Sequence, residues 1–96
     1  MRGPALTLSM VAHIPETGVA VFQEYEAAVL PLLSEFNGNL IHRYVTNDGT
    51  TEIHIIEFPS QGDFAAFRTS QARETFAPLL QQSGAKISIH EVEDIA

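Results

Sequence analysis

Ninety-six residues suffice for one domain, 1–96, but a chain this short buries only roughly two thirds of its unfolded surface, so a partner subunit would add stability. A net charge of −7, from 12 acidic residues against 5 scattered basic ones (Arg2, Arg43, Arg68, Arg73, Lys86), argues against nucleic acid and anionic membrane as partners, because both are held by basic clusters. The lack of cysteine excludes disulfides, thiolate ligands and a cysteine nucleophile, and no run approaches the roughly 18 apolar residues of a bilayer span, so a soluble, cytoplasmic protein is the default expectation.

Residues 5–12 alternate Leu6, Leu8 and Met10 with Thr7, Ser9 and Val11, the period of a strand. Arg2 ahead of this run gives the outline of a signal segment, but the run is at the short limit for one and its polar alternation reads as strand. Pro15 and Gly18 mark a connection. Val21, Phe22, Tyr25, Ala28, Val29, Leu32, Leu33 and Phe36 then recur at helical spacing, predicting a helix that stops at Gly38. Pro31 lacks the N–H that would bond the carbonyl of Ala27, so the helix is expected to bend there.

Residues 39–67 are the most informative stretch. Period-two alternation breaks at Asn47, Asp48 and Gly49 and resumes through Ile53, Ile55 and Ile56, the pattern of a β-hairpin. Pro59 stops the ladder, and Ser60 is placed to cap a helix by accepting from the N–H of Asp63. Residues 61–83 read as helical, interrupted at Thr69 and Ser70, with Pro78 bending or shortening the second piece and Gly84 ending it. Ile87 and Ile89 alternate with Ser88 and His90 in a last strand.

Strand, helix, strand, strand, helix, strand is the ferredoxin-like βαββαβ order, an α+β fold with a four-stranded antiparallel sheet and both helices on one face. The uncovered face is expected to carry Ile, Val and Leu side chains, which a second copy would bury in a two-fold homodimer, a dimeric α/β barrel.

Tyr25, Pro31, Gly38, residues 40–43 and above all IIEFPS at 55–60, with the helix at 64–70 that follows, resemble the domain of unknown function 1330 family of the dimeric α/β barrel superfamily. The resemblance covers nearly the whole chain, and EFPS with its downstream helix and serine is the specific part. Such sequences usually continue Ser-Pro-Glu-Tyr where this chain has Ser70-Gln71-Ala72-Arg73, and tend to have Gly-Gly in place of Gly38-Asn39. The resemblance implies a homodimeric ferredoxin-like barrel. The family has no settled activity, and related barrels include cofactor-free monooxygenases, muconolactone-isomerase-like enzymes and haem-degrading enzymes.

Arg43 and Glu57 are charges inside apolar strands, and each needs a partner or water. Register decides whether they meet. With a three-residue loop, Asn47-Asp48-Gly49, Arg43 faces Ile53 on the side of Glu57, and His42 faces His54; this reading is preferred because it gives both charges company. With the loop reduced to Asp48-Gly49, Arg43 faces His54 near Glu52, and Glu57 joins His42. Of the four histidines, only the His42 and His54 pair of the preferred register is close enough to share a metal, and no helical or cysteine ligand assists, so no metal is expected. Haem-degrading relatives use a helix histidine, which neither predicted helix has, and no cofactor is expected. Tyr25 could line a cavity between helix and sheet, although aromatic residues at helical spacing are usually core.

No G-x-S-x-G elbow or glycine-rich phosphate loop is present. With no complete set of acid, base and oxyanion donors in the sequence, the reading is binding of a small apolar or carboxylate-containing molecule; the alternative is cofactor-free isomerase or monooxygenase chemistry with Arg43 orienting the substrate and Glu57 or His54 carrying the proton. The candidate ligand-binding residues are Arg43, Glu57, His54, Tyr25 and His42.

Overall fold

The computed structural model of the chain describes residues 5–96; Arg2, with its part in the signal-like outline, lies outside them. Strand β1, Leu6–His13, buries Leu6, Leu8, Met10 and Ala12 on one side, as its alternation predicts. After a single 3-10 turn at Glu16–Gly18 comes helix α1, Val19–Val29, whose inward stripe is Phe22, Tyr25, Glu26 and Val29. The expected bend appears as a change of helix type: α-helical bonding ends at Val29 and continues as 3-10 turns at Leu30–Phe36, with Pro31 in the first turn. A first turn has no use for the N–H that proline lacks.

The stop falls one residue before the expected Gly38. Asn37 takes the left-handed conformation, at φ 64 and ψ 18, while Gly38 supplies clearance, since a Cβ there would lie 2.7 Å from the ring of Phe58.

Strands β2, Asn39–Val45, and β3, Thr51–Phe58, form the hairpin. Arg43 pairs with His54 and Val45 with Glu52, so the preferred register, with Arg43 opposite Ile53, is corrected to the alternative one. The reason lies in the connection. The Asp48 carboxylate accepts from the hydroxyls of Thr46 and Thr50, both at 2.7 Å, and from the Thr50 N–H at 3.0 Å. Thr46 N–H closes on the Thr51 carbonyl at 2.9 Å, and Gly49 takes φ 77. Residues 47–50 thus form an even-numbered loop, which moves the pairing by one residue relative to an odd one. A bulge between Leu40 and His42 shifts it back at the far end, where Asn39 pairs with Glu57.

Helix α2, Gln61–Arg68, starts at the expected cap, with Ser60 Oγ accepting from the Asp63 N–H at 3.2 Å. Helix α3, Gln71–Thr75, is capped in the same way by Ser70. Helix α4, Ala77–Ser83, holds Pro78 in its first turn and closes at Gly84 with φ 72, before strand β4, Lys86–Glu91.

The sheet order is β2-β3-β1-β4, with every pair antiparallel, and the helices cover one face: the ferredoxin-like α+β arrangement. Leu6, Leu8, Met10, Ile56 and Phe58 from the sheet meet Phe22, Val29, Leu33 and Phe67 from the helical layer. The other face carries one apolar row, Val11, Ile53 and Tyr44, and a mixed row, Ser9, Ile55 and His42. That apolar area is narrower than the alternation suggests, yet it leaves Tyr44 56% and Ile53 37% exposed. Among the described residues no helix is long and apolar enough to cross a membrane.

Candidate functional site

Side chains two apart on a strand share a face, so Glu52 and His54 leave β3 on the same side as Ile56 and Phe58, beneath α1. The observed register brings Arg43 beside them, and helical spacing turns Gln23 and Glu26 of α1 toward the same layer. Glu52 and His54 are each 1% exposed and Glu26 is 2% exposed. Three ionisable groups so deeply buried must be partnered or neutral, because an isolated buried charge costs several kcal/mol, roughly, even after relaxation.

Glu52 is partnered on every side. Arg43 Nε donates to its Oε1 at 3.0 Å, an Arg43 terminal nitrogen donates to Oε2 at 3.4 Å, and the Gln23 amide donates to the same oxygen. Gln23 is held in turn by Arg43, which donates to its Oε1 at 2.8 Å. Burial alone would raise the Glu52 carboxyl, but the hydrogen bonds from Arg43, His54 and Gln23 outweigh it and leave it below the ordinary value. Glu52 is therefore a carboxylate, and its Oε1 lies 2.8 Å from His54 Nε2.

That contact assigns the tautomer. A carboxylate only accepts, so Nε2 carries the proton and Nδ1 presents a lone pair. Burial lowers the imidazole pKa, which keeps His54 neutral at physiological pH. Nδ1 is fully buried and among the described residues has no hydrogen-bond partner, with Oε2 of Glu26 at 3.8 Å, beyond hydrogen-bond distance. Burial, and after it the charge of Glu52, raises the Glu26 carboxyl from its ordinary 4.5 to about 7. A neutral base and a half-protonated acid stand side by side, with pKa values pushed apart from those of free side chains, as proton transfer requires.

Both groups line a cavity of about 60 Å³ between α1, α2 and the sheet, whose remaining wall is chiefly apolar: Leu8, Met10, Ile56, Phe64 and Ile89 among others. This volume admits a couple of water molecules and is smaller than the roughly 150 Å³ that holds benzene. A larger guest must displace wall side chains, of which Ile89, 40% exposed on β4, is the least confined. Tyr25 and Arg73 complete the wall; burial raises the Tyr25 phenol and Arg73 opposes this.

Of the residues read from sequence, the fold assembles Arg43, His54 and Tyr25 around one layer. Glu57 and His42 fall on the opposite, uncovered face, where Glu57 pairs along the ladder with Thr7 and Asn39 and His42 stacks on Tyr44 at 5.5 Å. The partner of Arg43 is Glu52, not Glu57, and His42 does not face His54, as the corrected register requires. Among the described residues no group of three or more potential ligands is placed to hold a metal ion. Glu52, Glu26 and Gln23 were not singled out from sequence. Glu26 had a usable signal, since it interrupts the stripe Phe22, Tyr25, Val29, where a carboxylate is out of place.

No family model and no curated protein matches the chain. Solved structures match it by shape. An antibiotic biosynthesis monooxygenase superposes with a TM-score of 0.73 at 16% identity, over 95% of this chain and 99% of that one. A conserved protein of unknown function from Bacteroides thetaiotaomicron gives 0.73 at 11%, over 94% and 97%. A nipsnap family protein from Agrobacterium tumefaciens gives 0.61 at 22%, over 100% and 92%. At such identities the likeness establishes the fold alone: this chain shares the ferredoxin-like α+β fold with these structures.

Proposed function

We propose that the protein binds a small, mainly apolar molecule beneath α1 and moves a proton on it, with His54 as base and Glu26 as acid. The observation that carries this reading is the buried, unpartnered Nδ1 of His54, directed at Glu26 in an apolar cavity. A buried acceptor left without a partner costs about 1 to 3 kcal/mol, an expense understandable at a site whose ligand supplies the missing donor.

The balanced reaction is an isomerisation. Nδ1 takes a proton from carbon beside a carbonyl, Glu26 delivers a proton to the enolate at oxygen or at another carbon, and Glu52 with Arg43 steadies the imidazolium in between. Of the two functions weighed from sequence, this supports the enzyme over simple binding, with Arg43 steadying Glu52 in place of orienting substrate. A second reading draws on the monooxygenase named among the structural neighbours. The same enolate can react with dioxygen, its CH₂ becoming C=O while the second oxygen atom leaves as water. The resemblance to domain of unknown function 1330 and the exposed Val11, Ile53 and Tyr44 row support a homodimer joined through the uncovered sheet faces.

The test is deuterium incorporation from D₂O at the enolisable carbon of 4-phenylbutan-2-one and related small ketones, followed by proton NMR, with oxygen uptake recorded in parallel. Exchange that His54→Gln abolishes and Glu26→Gln slows supports proton transfer. Binding without exchange leaves a binding protein, and neither binding nor exchange across the ketones, with no molecule retained in native mass spectrometry, overturns the reading.

A further inference from the structure

Behind the inner cavity lies a second hollow of about 160 Å³ on the outer side of the helical layer, lined by Tyr25, Arg68, Ser70, Arg73 and Glu74 among others. Tyr25 and Arg73 line both spaces and so form the partition between them. Two of the five basic residues of a chain with net charge −7 meet here, and among the described residues neither Arg68 nor Arg73 forms an ion pair, whereas Arg43 does. In so acidic a chain, two adjacent guanidiniums with no carboxylate within ion-pair distance among the described residues stand out, although Glu74 lines the same hollow.

Both are also held in place. The Arg68 guanidinium lies 5.2 Å from the centre of the Phe64 ring, and that of Arg73 lies 5.5 Å from the centre of Phe67. Arg73 further donates to the Arg68 carbonyl at 3.1 Å. Phe64 and Phe67 belong to the wall of the inner cavity, so the cationic hollow and the apolar cavity share two aromatic rings as well as the partition.

We propose that this hollow receives the carboxylate of the ligand, with Arg73 and Arg68 as its donors, and that the substrate class is a small apolar monocarboxylic acid whose body passes Tyr25 toward His54. The inference rests on the proton-transfer reading for the inner end of the ligand. It also replaces Arg43, already occupied by Glu52, as the group that would recognise an acid. Guanidinium matches carboxylate geometry with paired donors, which favours this anion over a neutral amide. Glu74, which lines the same hollow, contributes a negative charge that weighs against doubly charged anions such as phosphate, so selection is for a single charge.

The experiment is calorimetric titration of the whole protein with 3-phenylpropanoate and its neutral isostere 3-phenylpropanamide, alongside ketone exchange in the wild type. The acid should bind at least about tenfold more tightly, the scale of a charge-assisted hydrogen bond. Arg73→Gln, and Arg68→Gln to a smaller extent, should bring the acid-to-amide ratio toward one. Equal binding of acid and amide by the wild type overturns the proposal, and that comparison holds even if a variant fails to fold. Unchanged selectivity in both folded variants also overturns it. Ketone exchange without acid preference removes this inference and leaves proton transfer standing. Acid preference without exchange in any ketone keeps the anion site and removes the proton-transfer reading.

Discussion

Oε2 of Glu26 and Nδ1 of His54 face each other at 3.8 Å between the Arg43–Glu52 pair and the apolar core. The gap exceeds a hydrogen bond, yet one atom placed beside it can reach both groups. Neither group would be there on packing grounds, and their pKa values move in opposite directions, the carboxyl up and the imidazole down.

That opposition shapes the dependence of stability on pH. Folded Glu26 keeps its proton until about pH 7 and unfolded Glu26 loses it near 4.5, so its contribution to stability falls as pH rises between those values and is flat above them. His54 acts in the other sense, because a lowered folded pKa makes its contribution grow as pH rises through the range of a free imidazole; the contribution of Glu52 is lost only as pH falls below the carboxylate range. Arg43 and Arg73 are the cations acting on Glu26, and Glu52 is the anion. Glu26→Gln should therefore gain on the wild type between about pH 5 and about pH 8, by up to about 3 kcal/mol, at about 1.4 kcal/mol per pKa unit. Urea unfolding at the two pH values measures it, and parallel profiles for the two proteins would refute the assignment.

Arg43→Ala removes the main cationic partner of a carboxylate that is 1% exposed. Breaking a fully buried pair costs roughly 3 to 5 kcal/mol, and because the Arg43 side chain is 36% exposed and water can replace it in part, a loss of about 2 to 3 kcal/mol is expected. Arg43→Lys should recover less than half of this, since an ammonium cannot bridge Glu52 and Gln23 together. Thermal melts of the two variants decide the matter; an unshifted Arg43→Ala would mean that Gln23 and His54 suffice to hold Glu52.

Gly18 is buried where the start of α1 meets the end of α4, and a Cβ there would stand 1.8 Å from the Ser83 carbonyl oxygen. That oxygen belongs to backbone and cannot swing aside, so Gly18→Ala should cost at least the roughly 1 to 3 kcal/mol of ordinary overpacking. Gly62→Ala, in helix α2 with the nearest atom at 3.7 Å, is the control without a clash and should hold or raise stability, by up to roughly 1 kcal/mol.

For the uncovered sheet face, sedimentation at micromolar concentration should give twice the 10.5 kDa chain mass. Ile53→Asp, in the middle of the apolar row, should yield monomer without disturbing the helix-covered core, because its side chain points away from it. A wild type that sediments as monomer at all concentrations would leave this face to some other role.

Much of the architecture is decided within a few residues and is legible for that reason. The caps at Ser60 and Ser70, the change of helix at Pro31 and the left-handed Gly49 and Gly84 follow from the backbone chemistry of single residues. Element order then implies the sheet topology, because few arrangements of these six segments are free of crossed connections. The hairpin register is different in kind. An odd and an even loop are both compatible with Asn47, Asp48 and Gly49, and the sequence of the hairpin favours the pairing that joins Arg43 to Glu57. The four-residue loop held by Asp48 fits the other pairing, and Gln23, arriving from α1, joins Arg43 and His54 as donors to Glu52, so that the buried carboxylate is satisfied in that register. Residues an odd number of positions apart on a strand emerge on opposite faces, so with Glu52 and His54 beneath α1, Glu57 lies on the uncovered face, and the register decides which of the two carboxylates Arg43 meets.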